Sequence, residues 1–171
     1  MNQYLELLQT AIDDATRGMT TEDLTQHPTG KWSAAQVLEH LALTYSGTRR
    51  GFEKCLQAGR PLATRISFKQ RLAVALVTGL GYFPSGREAP ETTRPKGDPA
   101  EDVARDIAAK IEAMDKAITA CEERYGTRTR LLDHPVLGPL TANQWRKFHW
   151  IHGRHHVKQI RGLRSIARAS S

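Results

Sequence analysis

Apolar residues recur every three or four positions along four long stretches of the chain, the period expected of helices that bury one face. The stretches run from about Asn2 to Arg17, from Ser33 to Gly59, from Asp98 to Gly126, and from Thr141 to about Ala167. A shorter helical pattern runs from about Phe68 to Thr78. The pattern therefore predicts four main helices and one shorter helix.

Side chains that cap helices mark the start of three of these stretches. Ser33 and Thr141 are each followed three residues later by a glutamine, which is the spacing of a capping box. Asp98 precedes Pro99, and Glu101 follows three residues after Asp98, so we expect Asp98 to cap its helix as well.

The segments between the helices are rich in glycine and proline. Residues 20–31 read as a loop with at most one short helical turn, and residues 131–140 as a connector without a clear strand signal. The segment from Gly79 to Gly97 is long enough to form a lid or rim of a site. The whole pattern predicts an all-α protein: an antiparallel four-helix bundle in one domain, residues 1–171, with a long irregular loop.

Composition and charge narrow the class of protein. Of 171 residues, 39% are hydrophobic and 25% charged, and no apolar run approaches the roughly 20 residues that cross a bilayer. The N-terminus lacks signal-peptide features, so we expect a cytoplasmic protein without a membrane partner. Cys55 and Cys121 read as reduced core thiols. The net charge of +7 is unevenly spread, and the last helix carries seven Lys/Arg and no Asp or Glu from Arg146 to Arg168. A solvated face near the acidic helix is favoured there over binding of nucleic acid or an anionic substrate.

Four of the seven histidines lie within eight residues, from His149 to His156. His152 and His156 are four residues apart, so on a helix they share one face, in the middle of the apolar stripe. Buried imidazoles need partners. A shared metal ion would satisfy both rings, and hydrogen bonds to buried carbonyl groups are the alternative.

A two-histidine site needs a third ligand, and His40 on the second helix is the best candidate. His149, near the edge of the stripe, is a candidate fourth ligand or a residue that supports the ligands from outside the coordination sphere. Gln159, three residues after His156, is a second candidate for such support. His27 and His134 are expected at the surface or in capping positions. His155 is expected at the surface or among the residues that support the ligands from outside the coordination sphere.

Several segments in order resemble the DinB/YfiT-like superfamily of metal-binding four-helix-bundle proteins. They are Lys31-Trp32-Ser33, Glu39-His40-Leu41, and His152-x-x-x-His156 followed by Gln159. The segment from His134 to Trp145 is similar to an uncharacterised bacterial subgroup. The resemblance implies that His40, His152 and His156 hold a divalent metal, zinc or nickel foremost, with an open coordination position. Some relatives transfer low-molecular-weight thiols onto electrophiles, and others isomerise thiol conjugates.

These features together predict a divalent-metal-dependent enzyme, and the resemblance implies that it is a thiol transferase. Three neutral imidazoles leave the metal's charge near +2, so a bound water or thiol would lose its proton near neutral pH. A metal-dependent hydrolase, and a non-catalytic bundle that binds a metal or ligand, are the alternatives. The expected partner is a small-molecule substrate such as a thiol, and a homodimer is left open.

Overall fold

Helices form most of the computed structural model, which describes residues 1–79 and 89–169. Four of them are long: α1 (Gln3–Thr16), α3 (Ala34–Gln57), α5 (Ala100–Tyr125) and α6 (Ala142–Ala169). The shorter elements are α2 (Thr21–Thr25), α4 (Phe68–Val74) with a π-helical turn at Ala75–Gly79, a 3-10 turn at Glu91–Thr93, and the strands β1 (Arg130–His134) and β2 (Gly138–Thr141). The mostly helical character predicted from the periodicity is confirmed.

The apolar stripes of the long helices meet in one core. Helix α1 packs on α6 and α3 packs on α5, with further contacts between α3 and α6. Side chains from all these stripes are fully buried, among them Leu8, Leu41, Tyr45, Phe52 and Ile111. Each large apolar side chain contributes on the order of 1.5–3 kcal/mol on burial, before the entropy cost of ordering the chain.

Capping boxes fix the first turns of the two helices that carry the candidate histidines. Ser33 Oγ accepts from Gln36 N at 3.2 Å, and Gln36 Oε1 accepts from Ser33 N at 2.9 Å. Thr141 and Gln144 make the same reciprocal pair at 3.3 and 3.0 Å. These predicted start signals are therefore confirmed, and they set the register of α3 and α6.

The prediction that Asp98 caps the third long helix is wrong. Helix α5 begins at Ala100, its N-cap is Pro99, and no side chain makes a capping hydrogen bond there. The backbone N–H of Asp98 instead donates to Glu39 Oε2 at 3.2 Å. A buried carboxylate on a neighbouring helix holds this backbone, and that interaction outweighs the local capping preference.

The predicted connector before α6 is instead a β-hairpin, in which β1 pairs antiparallel with β2. Leu131 and Leu140 are fully buried, one on each strand. The ring of His134 completes the turn, because its Nδ1 accepts from the backbone N–H groups of Val136 and Leu137, each at 3.1 Å. His134 therefore caps a turn, one of the two roles that we expected for it.

The loop segments agree with the pattern where the structure describes them. Helix α2 is the short helical turn expected within residues 20–31. Between Gly79 and Gly97, the described residues contain the single 3-10 turn, and residues 80–88 lie outside the described part of the chain. No helix in the described ranges is long and apolar enough to cross a membrane.

One residue of the basic last helix departs from the expected solvated face. Arg146 is buried, and its guanidinium donates to Asp115 at 2.8 Å, to Glu122 at 2.5 Å and to Thr119 at 2.7 Å. Its three partners all lie on α5, the acidic helix. Burial of this cation is compatible with stability because two carboxylates accompany it.

Candidate metal centre

The three histidines predicted as ligands meet at one point in the structure. His152 Nε2 lies 3.4 Å from His40 Nε2 and 3.1 Å from His156 Nε2. One nitrogen from each ring falls within 4.8 Å of the other two, and all three side chains are buried. The predicted convergence of residues 112 positions apart is thus confirmed.

Helix geometry explains how the three rings arrive there. His152 and His156 are one turn apart on α6, and their rings are 4.6 Å apart between centroids. His40 lies in the second turn of α3, whose register is set by the Ser33 capping box. Contact between α3 and α6 brings the His40 ring within 4.7 Å of the His156 ring.

Hydrogen bonds at the outer nitrogens define which ring atoms face the centre. His40 Nδ1 lies 2.8 Å from the carbonyl oxygen of Thr93, and His156 Nδ1 lies 2.7 Å from Gln159 Oε1. Both oxygens can only accept, so each Nδ1 carries the proton and donates. A neutral imidazole has one N–H, and the Nε2 atoms of His40 and His156 therefore present lone pairs to the centre.

Burial keeps these rings neutral. Desolvation lowers the pKa of His40, opposed by its bond to Thr93. Desolvation and the neighbouring histidines lower the pKa of His152 well below its ordinary value. Desolvation, reinforced by His40, lowers the pKa of His156 to about 3. Neutral imidazole is the form that binds a metal, so little proton release would oppose binding at neutral pH.

The donor set fits a divalent metal ion better than hydrogen bonding among the rings. If His152 Nε2 carries a proton, it can donate to only one of the two lone pairs facing it. A cation would satisfy all three nitrogens together. In a tetrahedral site with nitrogens about 2.0–2.1 Å from the ion, neighbouring nitrogens lie about 3.3–3.4 Å apart, close to the observed 3.1 and 3.4 Å.

Aromatic rings enclose the cluster on two sides. The Trp32 ring lies 5.4 Å from that of His40. The Phe148 ring stacks on His152 with an interplanar angle of 9° and a centroid separation of 5.5 Å. The His134 ring also packs on Phe148, with 4.2 Å between the ring centroids. Apolar walls of this kind exclude water and strengthen electrostatic interactions inside the site.

Glu39, which the sequence analysis missed, holds the loop beside the site. Its carboxylate is buried and accepts three consecutive backbone N–H groups: Lys96 at 2.6 Å, Gly97 at 3.1 Å and Asp98 at 3.2 Å. The same loop begins just after Thr93, whose carbonyl orients His40. The available signal was an acidic residue directly before His40 within a buried apolar stripe.

The other candidate residues occupy different positions. Gln159 is hydrogen-bonded to His156, as expected of a residue that supports a ligand from outside the coordination sphere. His149 lies outside the three-histidine cluster: it is fully buried, its Nε2 is 3.1 Å from Thr48 Oγ1, and its ring stacks on Trp145. His155 is half-buried, and His27 is exposed in its loop.

Comparison with known proteins places the chain in a family. The model of DUF1569, described as a protein of unknown function, matches residues 1–162. The chain belongs to the DUF1569 family. No curated protein and no solved structure matches it. The DUF1569 match includes His40, His152 and His156, so the cluster lies within the segment that defines the family.

Proposed function

We propose that this protein is a divalent-metal-dependent enzyme whose ion is held by His40, His152 and His156. The convergence of three buried, neutral imidazoles carries this proposal. Zinc and nickel are the favoured ions, because an all-imidazole donor set suits both. We expect a small-molecule substrate and a cytoplasmic location.

We also propose that the four long helices form an antiparallel bundle of the DinB/YfiT type. Two observations support this kinship: the ordered motifs in the sequence, and ligands contributed by an early helix and by two residues one turn apart on the last helix. The resemblance then favours transfer of a low-molecular-weight thiol onto an electrophile as the reaction.

His40, His152 and His156 would hold the ion through three imidazoles and leave room for a fourth ligand, and a thiol or water bound there would have its pKa lowered toward neutrality. Thiol transfer and hydrolysis would use the same protein residues. Neighbouring side chains and one backbone carbonyl orient and shield these histidines. Thr93 and Gln159 fix the tautomers of His40 and His156, and Phe148 and Trp32 limit access of water to the rings.

Ligand number separates an enzyme from a protein whose metal is only structural. Structural zinc sites are closed by four protein ligands, whereas catalytic sites keep a position open. Among the described residues, the histidine cluster contains three candidate ligands, and His149 bonds Thr48 instead of joining them. A non-catalytic binding role is the second candidate, favoured only if no thiol or ester substrate is turned over.

Replacing His152 with alanine tests the proposal. We expect His152→Ala to lose the bound metal and any thiol-transfer activity while the protein stays folded, because the helices have their own apolar core. Metal content is measured by mass spectrometry on protein purified without a nickel column, beside a thermal melt. His27→Ala, in an exposed loop, is the matched control and should keep its metal.

Two outcomes would contradict the enzyme proposal. Loss of metal together with collapse of the fold would indicate a structural ion, since its binding energy would then be folding energy. Retention of a full metal complement in His152→Ala would show that the three-histidine cluster is not the metal site.

A further inference from the structure

Helix α4 and the π-helical turn that follows it present an apolar stripe to solvent. Phe68, Leu72 and Leu76 recur every four residues and are 82%, 55% and 43% exposed. The opposite face carries Val74 and Val77, which are buried against the core. The element is thus attached to the protein by one apolar face and shows a second apolar face on its outer side.

Cations flank this outer stripe on both sides. At 100° per residue, Arg71 projects about 60° to one side of Phe68 and Lys69 roughly 100° to the other, with Leu72 and Leu76 between them. Both cations are exposed, as is Arg65 just before the helix. The sequence contains no Asp or Glu from residue 54 to residue 87. The stripe therefore suits a partner that is apolar and anionic at once.

We propose that this face of α4 docks on an anionic lipid surface. An amphipathic helix of this kind lies in the interface with its apolar side chains among the upper acyl chains. Lys69 and Arg71 would reach sideways to phosphate headgroups, as long basic side chains do at membrane interfaces. The net charge of +7 adds a general attraction to such a surface.

Charge and shape favour lipid over a protein occupant. A second copy of the chain would bring Lys69 and Arg71 against the same cations, which repel. About two turns of exposed stripe on the outside of a helix form a ridge, which suits a deformable surface. The sequence-based expectation of no membrane partner rested on the lack of a spanning segment, and a peripheral contact needs none.

The experiment uses the full-length protein and vesicles of phosphatidylcholine alone or mixed with phosphatidylglycerol. Flotation should recover the protein with the mixed vesicles at low salt and leave it unbound with phosphatidylcholine alone. The double variant Phe68→Ser/Leu72→Ser should bind about tenfold more weakly or worse. Both side chains are exposed, so its thermal melt should match that of the wild type.

Leu7→Ser is the matched control, because Leu7 is 52% exposed but lies on α1. It should bind vesicles like the wild type. Lys69→Gln/Arg71→Gln should weaken binding and reduce its dependence on salt. This second variant tests the same face without touching an apolar residue.

Three results would overturn the proposal. The first is no binding to mixed vesicles at any salt concentration. The second is binding unchanged in Phe68→Ser/Leu72→Ser, which would assign the attraction to overall charge. The third is a wild-type dimer that this double variant dissociates, without a lipid effect, which would make the face an interface between copies.

Discussion

At the scale of single residues, the orientation of His40 depends on a backbone carbonyl that no substitution can remove. The carbonyl belongs to Thr93, and the loop that follows it is held by the carboxylate of Glu39. Glu39 is therefore a positioning residue that acts on His40 through the loop.

Glu39→Gln should reduce metal affinity by about 10- to 100-fold, because supporting residues outside the coordination sphere typically contribute that much. Both carboxylate oxygens of Glu39 accept backbone N–H groups, whereas the glutamine side chain has one acceptor oxygen and one NH2 group that can only donate. Affinity is measured by competition with a chromogenic chelator. Glu53→Gln, on the same helix but paired with Arg49 at its surface, should bind metal like the wild type. Equal affinity in both variants would remove Glu39 from the site.

The sequence predicted the three clustered histidines and the support of His156 by Gln159, but not the groups that support His40. His152 and His156 could be found because their spacing is local, and helical periodicity places them on a buried face. Thr93 and Glu39 act through contacts that span 53 to 59 residues of sequence and involve backbone atoms. No local pattern encodes such contacts, because they depend on how α3 lies against a loop.

At the scale of helices, Gly153 sets how closely α1 approaches α6 beside the candidate site. A Cβ atom at Gly153 would overlap Leu8 Cδ1 and lie 3.4 Å from the Tyr45 hydroxyl oxygen. Leu8 and Tyr45 are fully buried and have little room to move. The glycine thus permits a close contact between the two helices.

Gly153→Ala should lower the free energy of unfolding by about 1–3 kcal/mol, the usual cost of overpacking a core. Gly162→Ala on the same helix should raise it by about 0.5–1 kcal/mol, because nothing lies within 4 Å of that position and alanine favours the helix. Chemical denaturation measures both. Stabilisation by both substitutions would show that α1 and α6 are not in close contact at Gly153.

Boundaries of helices and strands could be predicted where they depend on local sequence, and could not where they depend on tertiary contacts. Capping boxes at Ser33 and Thr141 were predictable because the interacting groups are three residues apart. The β-hairpin before α6 was not, because its strands are four and five residues long and their buried leucines give too short a pattern. Trp145 Nε1 further anchors this hairpin by donating to the carbonyl of Leu132 at 3.1 Å.

At the scale of the whole molecule, several buried histidines make stability depend on pH. Burial lowers the pKa of His149 to about 3 and that of His134 to about 4, from an ordinary value of 6.5. Between these values and 6.5 the unfolded chain binds more protons than the folded protein. The stability that the neutral rings contribute is therefore present above pH 6.5 and is lost as the pH falls below it.

In metal-free protein, the free energy of unfolding should fall steeply from pH 6.5 to pH 5, by up to about 1.4 kcal/mol per pH unit for each such histidine. Urea denaturation at a series of pH values measures the slope. His149→Gln keeps a polar group near Thr48 but does not titrate. The change of its unfolding free energy with pH should therefore be smaller by the contribution of one histidine. A stability that is constant from pH 7.5 to 5 would contradict the burial of these rings.

The position of Trp32 allows metal binding at the proposed site to be followed by tryptophan fluorescence. Its indole ring lies 5.4 Å from the ring of His40, close enough for an ion bound there to affect its excited state. Ions with partly filled d shells, such as nickel or copper, quench indole emission at short range, whereas the filled shell of zinc offers no such route. Quenching of Trp32 emission would thus report that an ion with a partly filled d shell, and not zinc, occupies the site.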